Sequence, residues 1–434
     1  MVRTIQLPQE IYELFVDALY DGTDMTNNKE THLALRQCSR VSRVFWLRAR
    51  RHFFAHTKIC GKRGNSSVTP AEMLNRFMEI ATKTAPNVPP VIKLVRSCSI
   101  QNYPVYPGLW EHPAFIKLLK LLINSEPLES LSLLDVNGSW PELDTETRDL
   151  LCAMFQTTHL KSLELRGFTN IPSKILDGCA MQHLTLYCLP GLSISTEPLS
   201  ALVSPPPLLS IETNNEVPVL STPLKAGYVP FPHLNQVAST ISQQSHLSIA
   251  CNLARGASQS LHTLDLSFLY CVYLPLSVSP FDLGQLPNLR HLRLGFSTDP
   301  GVVIGGTEYL KSLCHFISRP LGLEDALPLE TIEFLITLPH EVYKSAPSFN
   351  KDHWRALDRA ITRPHLAHVR EVHLRLHFLI VGMLFGTGFT ESAFVKETTD
   401  LAKPLFSRVD NSKSIDFTID VSTEFVGRGF LPDF

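Results

Sequence analysis

Leu128-Glu129-Ser130-Leu131-Ser132-Leu133 spaces its apolar residues as L-x-x-L-x-L. The last three positions alternate apolar and polar, the period of a strand with one face in a core. The same spacing returns in Leu160-Lys161-Ser162-Leu163-Glu164-Leu165 and in Met181-Gln182-His183-Leu184-Thr185-Leu186. It returns again over Leu261–Leu266 and Leu289–Leu294. Weaker copies lie at Val95–Ile100, Leu329–Phe334 and Val369–Leu374, and Phe417 and Ile419 keep only the alternating end.

Outward from that stretch, the middle apolar residue serves as a marker. Cys98, Leu131, Leu163 and Leu184 are separated by steps of 33, 32 and 21 residues. Ile211 and Val237 fill the gap to Leu264 with steps of 27, 26 and 27, and Leu292, Ile332 and Val372 follow at 28, 40 and 40. One short strand recurring with a helix or loop between copies is the mark of a solenoid. Helical periods lie between strands, as in Phe115–Leu122, Tyr309–Ile317 and residues 351–363, which carry Trp354, Leu357 and Ile361. Strand–helix alternation predicts an α/β fold with a curved parallel sheet. The Pro-rich stretch Ser204–Pro230 reads as a loop or irregular repeat.

The first 59 residues have a different texture. Pro8 suits the first turn of a helix, and Ile11, Leu14, Phe15, Ala18 and Leu19 follow as one apolar stripe. Asp21–Lys29 is a polar loop. A second helical pattern carries Leu35, Cys38, Val41 and Ser42. A third, after a break near Phe45-Trp46, carries Leu47, Arg50, Arg51 and Phe54. The predicted organisation is an all-α unit over residues 1–59, a linker with one helix over 60–90, and an irregular solenoid over 91–434. So small a helical unit needs a partner or the next domain to complete its core.

Composition sets outer bounds. With 44% hydrophobic and 18% charged residues the 434-residue chain is a folded protein, and a net charge of −2 excludes a polyelectrolyte binder. The charge is uneven: residues 1–71 carry +5 and the remainder −7, and Thr31–Ala71 holds nine Lys/Arg with no acid. That stretch reads as solvated helix faces or as a docking surface for an acidic partner. Nine scattered cysteines without paired spacing, and no signal-like or membrane-length apolar run, predict a soluble intracellular protein, in cytoplasm or nucleus.

Leu7-Pro8-x-Glu10-Ile11, then Leu35-x-x-Cys38-x-x-Val41-Ser42-Arg43-x-Phe45, then Ala49-Arg50-Arg51-x-Phe53-Phe54, resembles an F-box over roughly residues 5–59. The resemblance implies docking to a Skp-type adaptor, and through it to a cullin–RING ubiquitin ligase, with the C-terminal domain selecting a protein substrate. By similarity Leu7, Pro8, Ile11, Leu35, Val41 and Phe45 would carry the adaptor contact. Leucine-rich repeats are a common second domain of that family. Here the position that holds Asn or Cys in standard repeats carries Val136, Phe168, Leu189, Leu269 and Ser297, so the solenoid resembles a degenerate leucine-rich-repeat array.

Enzyme signatures are absent: there is no G-x-S-x-G, no phosphate-binding loop with its Lys, and no dinucleotide fingerprint. Gly382–Gly388 reads as a loop. His365/His368 and His373/His377 lack spaced Cys or acidic ligands, so no metal and no cofactor is expected. Asp416 and Asp420 share one strand face and read as solvated carboxylates. In a horseshoe the residues between paired leucines line the inner face: Ser132, Glu164, Thr185, Asp265, Arg293, Glu333 and His373. Their mixed polarity suits a protein or peptide partner, or plain solvation. No nucleic acid and no membrane partner is expected.

Overall fold

A computed structural model of the chain describes residues 8–20, 29–61, 68–83, 86, 88–102, 108–125, 127–187, 207–213, 231–269, 283–297, 310, 313–314, 316–317, 327–341, 349–381 and 390–426. Two compact units divide it: Met1–Thr185 with Leu202–Pro206, and Leu186–Ala201 with Pro207–Phe434.

The first unit opens with three helices, α1 (Gln9–Ala18), α2 (Lys29–Cys38) and α3 (Arg43–Ala55). Val16, Leu35 and Ala49, one from each helix, are fully buried against one another, and Leu19, Tyr20, Phe45 and Phe53 pack around them. Of the α1 stripe read from the sequence only Leu19 packs on this core, and the other four residues face away from it. Val16 is the buried residue of α1, while Ile11, Leu14, Phe15 and Ala18 are exposed. The chain break also moves. Helix α2 stops at Cys38, so Val41 lies in the connection, and α3 begins where Ser42 accepts a hydrogen bond from the Phe45 amide at 3.3 Å.

Helix α3 runs directly into strand β1 (His56–Cys60), which pairs in parallel with β2 (Ser97–Gln101). The expected boundary at residue 59 thus falls inside a strand. The expected linker over 60–90 contains α4 (Pro70–Ala81), whose Leu74, Met78 and Ala81 are buried. Its start is fixed by a reciprocal pair: Thr69 Oγ1 accepts from the Glu72 amide at 3.2 Å, and Glu72 accepts from the Thr69 amide at 3.1 Å. Helix α5 (Pro113–Ile123), β3 (Ser130–Ser139), α6 (Thr145–Phe155) and β4 (Ser162–Thr169) continue the alternation, and the division between the units falls within β5 (His183–Tyr187). The strands of this unit stack in chain order.

In β3 and β4 the marker leucines are direct partners, Leu131 opposite Leu163 and Leu133 opposite Leu165. All four are at most 1% exposed. Burial of such side chains stabilises by about 1.5–3 kcal/mol each, which is why the L-x-L unit sets the register.

The second unit holds β6 (Ser210–Thr213), β7 (Gln236–Ile241), α7 (Gln244–Gly256), β8 (Thr263–Leu269) and β9 (His291–Ser297). It goes on to β10 (Thr331–Glu341), α8 (Lys351–Ile361), β11 (Glu371–Val381), α9 (Glu391–Ala402), α10 (Ser407–Asp410) and β12 (Asp416–Val426). These strands are also parallel and ordered along the chain. The expected markers align as one row: Ile211, Val237, Leu264, Leu292, Ile332, Val372 and Phe417. The predicted helix over 351–363 is α8, and Trp354, Leu357 and Ile361 are buried. Of the pattern over 309–317, Leu310, Leu313, Phe316 and Ile317 are described and buried. Gly382–Gly388 lies outside the described residues.

Candidate functional site

Among the residues assigned to adaptor contact, Leu7 lies outside the described residues. Pro8 is exposed at the start of α1, Ile11 is 46% exposed and Val41 69%. Leu35 does not belong with them. It is 0% exposed and forms the core of the helical unit, so no partner can touch it there. Phe45 is half-buried, its ring 5.5 Å from that of Tyr12. The surface offers other apolar residues instead: Leu14 and Phe15 at 62% each, Leu33 at 56% and Trp46 at 39%. Ile11, Leu14, Phe15 and Ala18 recur at helical spacing and share one face of α1. The stripe was visible in the sequence; its outward direction was not.

Charged contacts hold that stripe in place. Arg48 donates from Nε to Asp17 at 2.6 Å, makes a second bond to the same carboxylate, and reaches Glu13 at 3.2 Å. His52 Nε2 lies 2.8 Å from Asp17. The Arg48 bond holds the Asp17 carboxyl below its ordinary pKa, against the opposing effect of partial burial. Arg50 lies over the rings of Trp46 and Phe54, 5.4 and 5.9 Å from their centroids, and donates to the Pro89 carbonyl at 2.7 Å. Burial pushes its pKa down. The basic stretch therefore divides: Arg48 and Arg50 build the unit, while Arg36, Arg40, Arg43, Arg51 and Lys58 are exposed.

On the sheet face of the first unit, Ser132 and Glu164 are register partners, with Ser99 and Lys58 in the same row. Glu164 pairs with Arg166 two residues along β4. Thr185 is half-buried on β5.

In the second unit the four remaining expected residues fall side by side. Asp265, Arg293, Glu333 and His373 are successive register partners on β8, β9, β10 and β11, and Thr418 of β12 continues the row. Arg293 reaches Asp265 at 3.3 Å and Glu333 at 3.8 Å, and Arg375 approaches Glu333 at 3.1 Å. His373 Nδ1 lies 2.6 Å from the Thr418 hydroxyl and Nε2 3.5 Å from Glu371. Burial pushes the Asp265 carboxyl above its ordinary pKa; Arg293 opposes this, while Glu333 and Glu212 reinforce it. Arg375, Glu371 and Thr418 were not among the expected residues. One residue per repeat was taken as facing outward, but β10, β11 and β12 each run 11 residues and carry several outward rows.

His365 Nε2 lies 3.1 Å from the Ile317 carbonyl, and His377 contacts Ser422 at 3.0 Å and Glu424 at 3.3 Å. Among the described residues no group of three or more His, Cys, Asp or Glu could hold a metal ion. Nor, among them, is any helix long and apolar enough to cross a membrane. Seven described cysteines are free thiols, and burial raises Cys98, Cys179 and Cys251 to about 12.

No family model matches the chain, and no curated protein matches it. Among solved structures, the crystal structure of the leucine-rich repeat-containing protein LegL7 from Legionella pneumophila is similar, with 14% identity and a TM-score of 0.40. The match covers 82% of this chain and 99% of that one.

Proposed function

We propose that the chain is the substrate-recognition subunit of a Skp–cullin–F-box ubiquitin ligase. In this reading the N-terminal helices dock a Skp-type adaptor, the adaptor joins a cullin–RING ligase, and the repeats bind a protein substrate. The carrying observation is the apolar stripe Ile11, Leu14 and Phe15, exposed on a unit whose own core is already closed by Val16, Leu35 and Ala49. Exposed apolar residues grouped on one face are favoured where a partner covers them. Arg36, Arg40 and Arg43 would add steering toward an acidic adaptor.

The test is co-purification of the full chain with a Skp adaptor. Phe15→Asp should abolish capture and leave the helix content by circular dichroism unchanged. Equal capture after removal of residues 1–55 would sink the reading.

A second reading has its own support. Helix α3 passes without a break into β1, and Arg50 donates to the Pro89 carbonyl just before the next repeat. Those contacts suit a cap on the first repeat of a non-catalytic interaction scaffold. In that case removal of residues 1–55 leaves the repeats insoluble, and Phe15→Asp changes no partner.

A further inference from the structure

Strand β12 is the last described strand of the second unit's sheet. It pairs with β11 over 11 residues, and among the described residues nothing pairs with its other edge. The layer it ends is incompletely covered. Val372, Leu374 and Leu376 of β11 are at most 1% exposed, while their register partners Phe417, Ile419 and Val421 are only half-buried. Open edges are ordinarily blunted by charged side chains, Lys above all, or by Pro. Asp416-Phe-Thr-Ile-Asp-Val-Ser-Thr-Glu-Phe-Val426 contains no Lys and no Pro, and its charges are three acids, which deter an acidic segment and favour a basic one. Asp416, Asp420 and Glu424 recur at even spacing on the face that also carries Thr418 and Ser422.

Among the described residues no backbone group pairs with the outer edge of β12 over Phe417–Val421. The Asp416 amide donates to the Arg370 carbonyl at 2.7 Å, which turns Asp416 toward β11. Alternation in a parallel strand then turns the amides of Phe417, Ile419 and Val421 outward.

We propose that the outer edge of β12 accepts an extended segment of a partner protein, in which Lys or Arg alternates with apolar residues. The segment's main chain pairs with the outward amides. Its apolar residues cover Phe417, Ile419 and Val421, and its cations lie beside Asp416, Asp420 and Glu424. A second copy of β12 is a poor occupant, because it would line one face with six carboxylates. This assignment rests on the reading of the chain as a protein-binding module and names the class of segment bound.

The test uses the full chain and a fluorescein-labelled peptide alternating Lys and Val over about ten residues, the reach of a strand this long. Binding by anisotropy is expected, weakening as salt rises, with an otherwise equal Glu–Val peptide failing to bind. Asp420→Lys should weaken binding roughly tenfold or more by setting like charges together. Val421→Pro, which removes an outward amide without touching the β11 ladder, should abolish it while circular dichroism stays unchanged. The proposal is overturned if the Lys–Val peptide does not bind, if the Glu–Val peptide binds equally, or if both variants bind like the wild type. Binding only after removal of residues 427–434 would assign the edge to the chain's own tail and also overturn it. So would a dimer that Val421→Pro dissociates. Adaptor capture by the N-terminal helices is read separately, so failure of one leaves the other standing.

Discussion

The carboxylate of Asp358, on α8, accepts a hydrogen bond from the backbone amide of Val409 at 3.0 Å. Its other oxygen accepts from the Arg408 amide at 3.1 Å. Asp358 is 3% exposed, so a side chain of one repeat supplies the acceptors for the short helix α10 of the next. Asp358→Ala leaves two amides without this acceptor and should cost about 1.5–3 kcal/mol, the range for hydrogen bonds to a carboxylate. Urea unfolding measures it, and Asp358→Asn should lose less.

Leu35 and Phe15 should respond in opposite ways. Leu35→Ala opens a cavity in the core of a small helical unit and should destabilise by about 2–4 kcal/mol. Phe15→Ser removes an exposed side chain and should change stability by less than about 0.5 kcal/mol. In the adaptor capture assay only Phe15→Ser should lose binding with the fold intact.

The Asp17–Arg48 pair gives a signed pH dependence. A carboxyl with a depressed folded pKa contributes stability above its unfolded value, here 3.8, and loses it as pH falls through the folded value. Arg48→Met should cost about 1–2 kcal/mol at neutral pH, because both side chains are partly solvated. That difference should shrink below pH 3.8 as Asp17 takes up its proton. Thermal unfolding of wild type and variant across this range measures it.

Gly138 lies where the β3–β4 register shifts, and a Cβ there would meet the Phe168 ring at 2.9 Å. The ring cannot easily retreat, since the Trp110 ring lies 5.3 Å from it on centroids. Gly138→Ala should cost about 1–3 kcal/mol by overpacking, measured by chemical denaturation.

Much of the repeat region was legible because one chemical fact repeats along it. An L-x-L pair buries two side chains, and the next copy can stack only with its own pair opposite, so the marker residues align as Leu264, Leu292 and Ile332 do. Even Ile211 and Val237, in the stretch where the pattern lapses, take their place in the row. Strand β1 was missed because only Ile59 of its five residues is buried, and one apolar residue makes no period.

The candidate faces were legible only in part. Asp265, Arg293, Glu333 and His373 came from alternation along each strand, and the register that makes them neighbours followed from the markers. The added reach to Arg375 and Glu371 depended on strand length, which the six-residue pattern does not encode.

The sequence by itself determined the α/β alternation, the spacing of the marked strands and the presence of short amphipathic helices ahead of them. Those depend on period and composition, which are local. Only the tertiary structure decided which side of α1 is inside, that Leu35 is core rather than contact, and that helix passes into strand at Ala55–His56. The physical reason is competition. Helix α1 carries apolar residues on more than one face, and Asp17, held by Arg48 and His52 from α3, selects the face with Val16. An apolar period reports that a face wants covering; what covers it is settled by contacts from residues about thirty positions away.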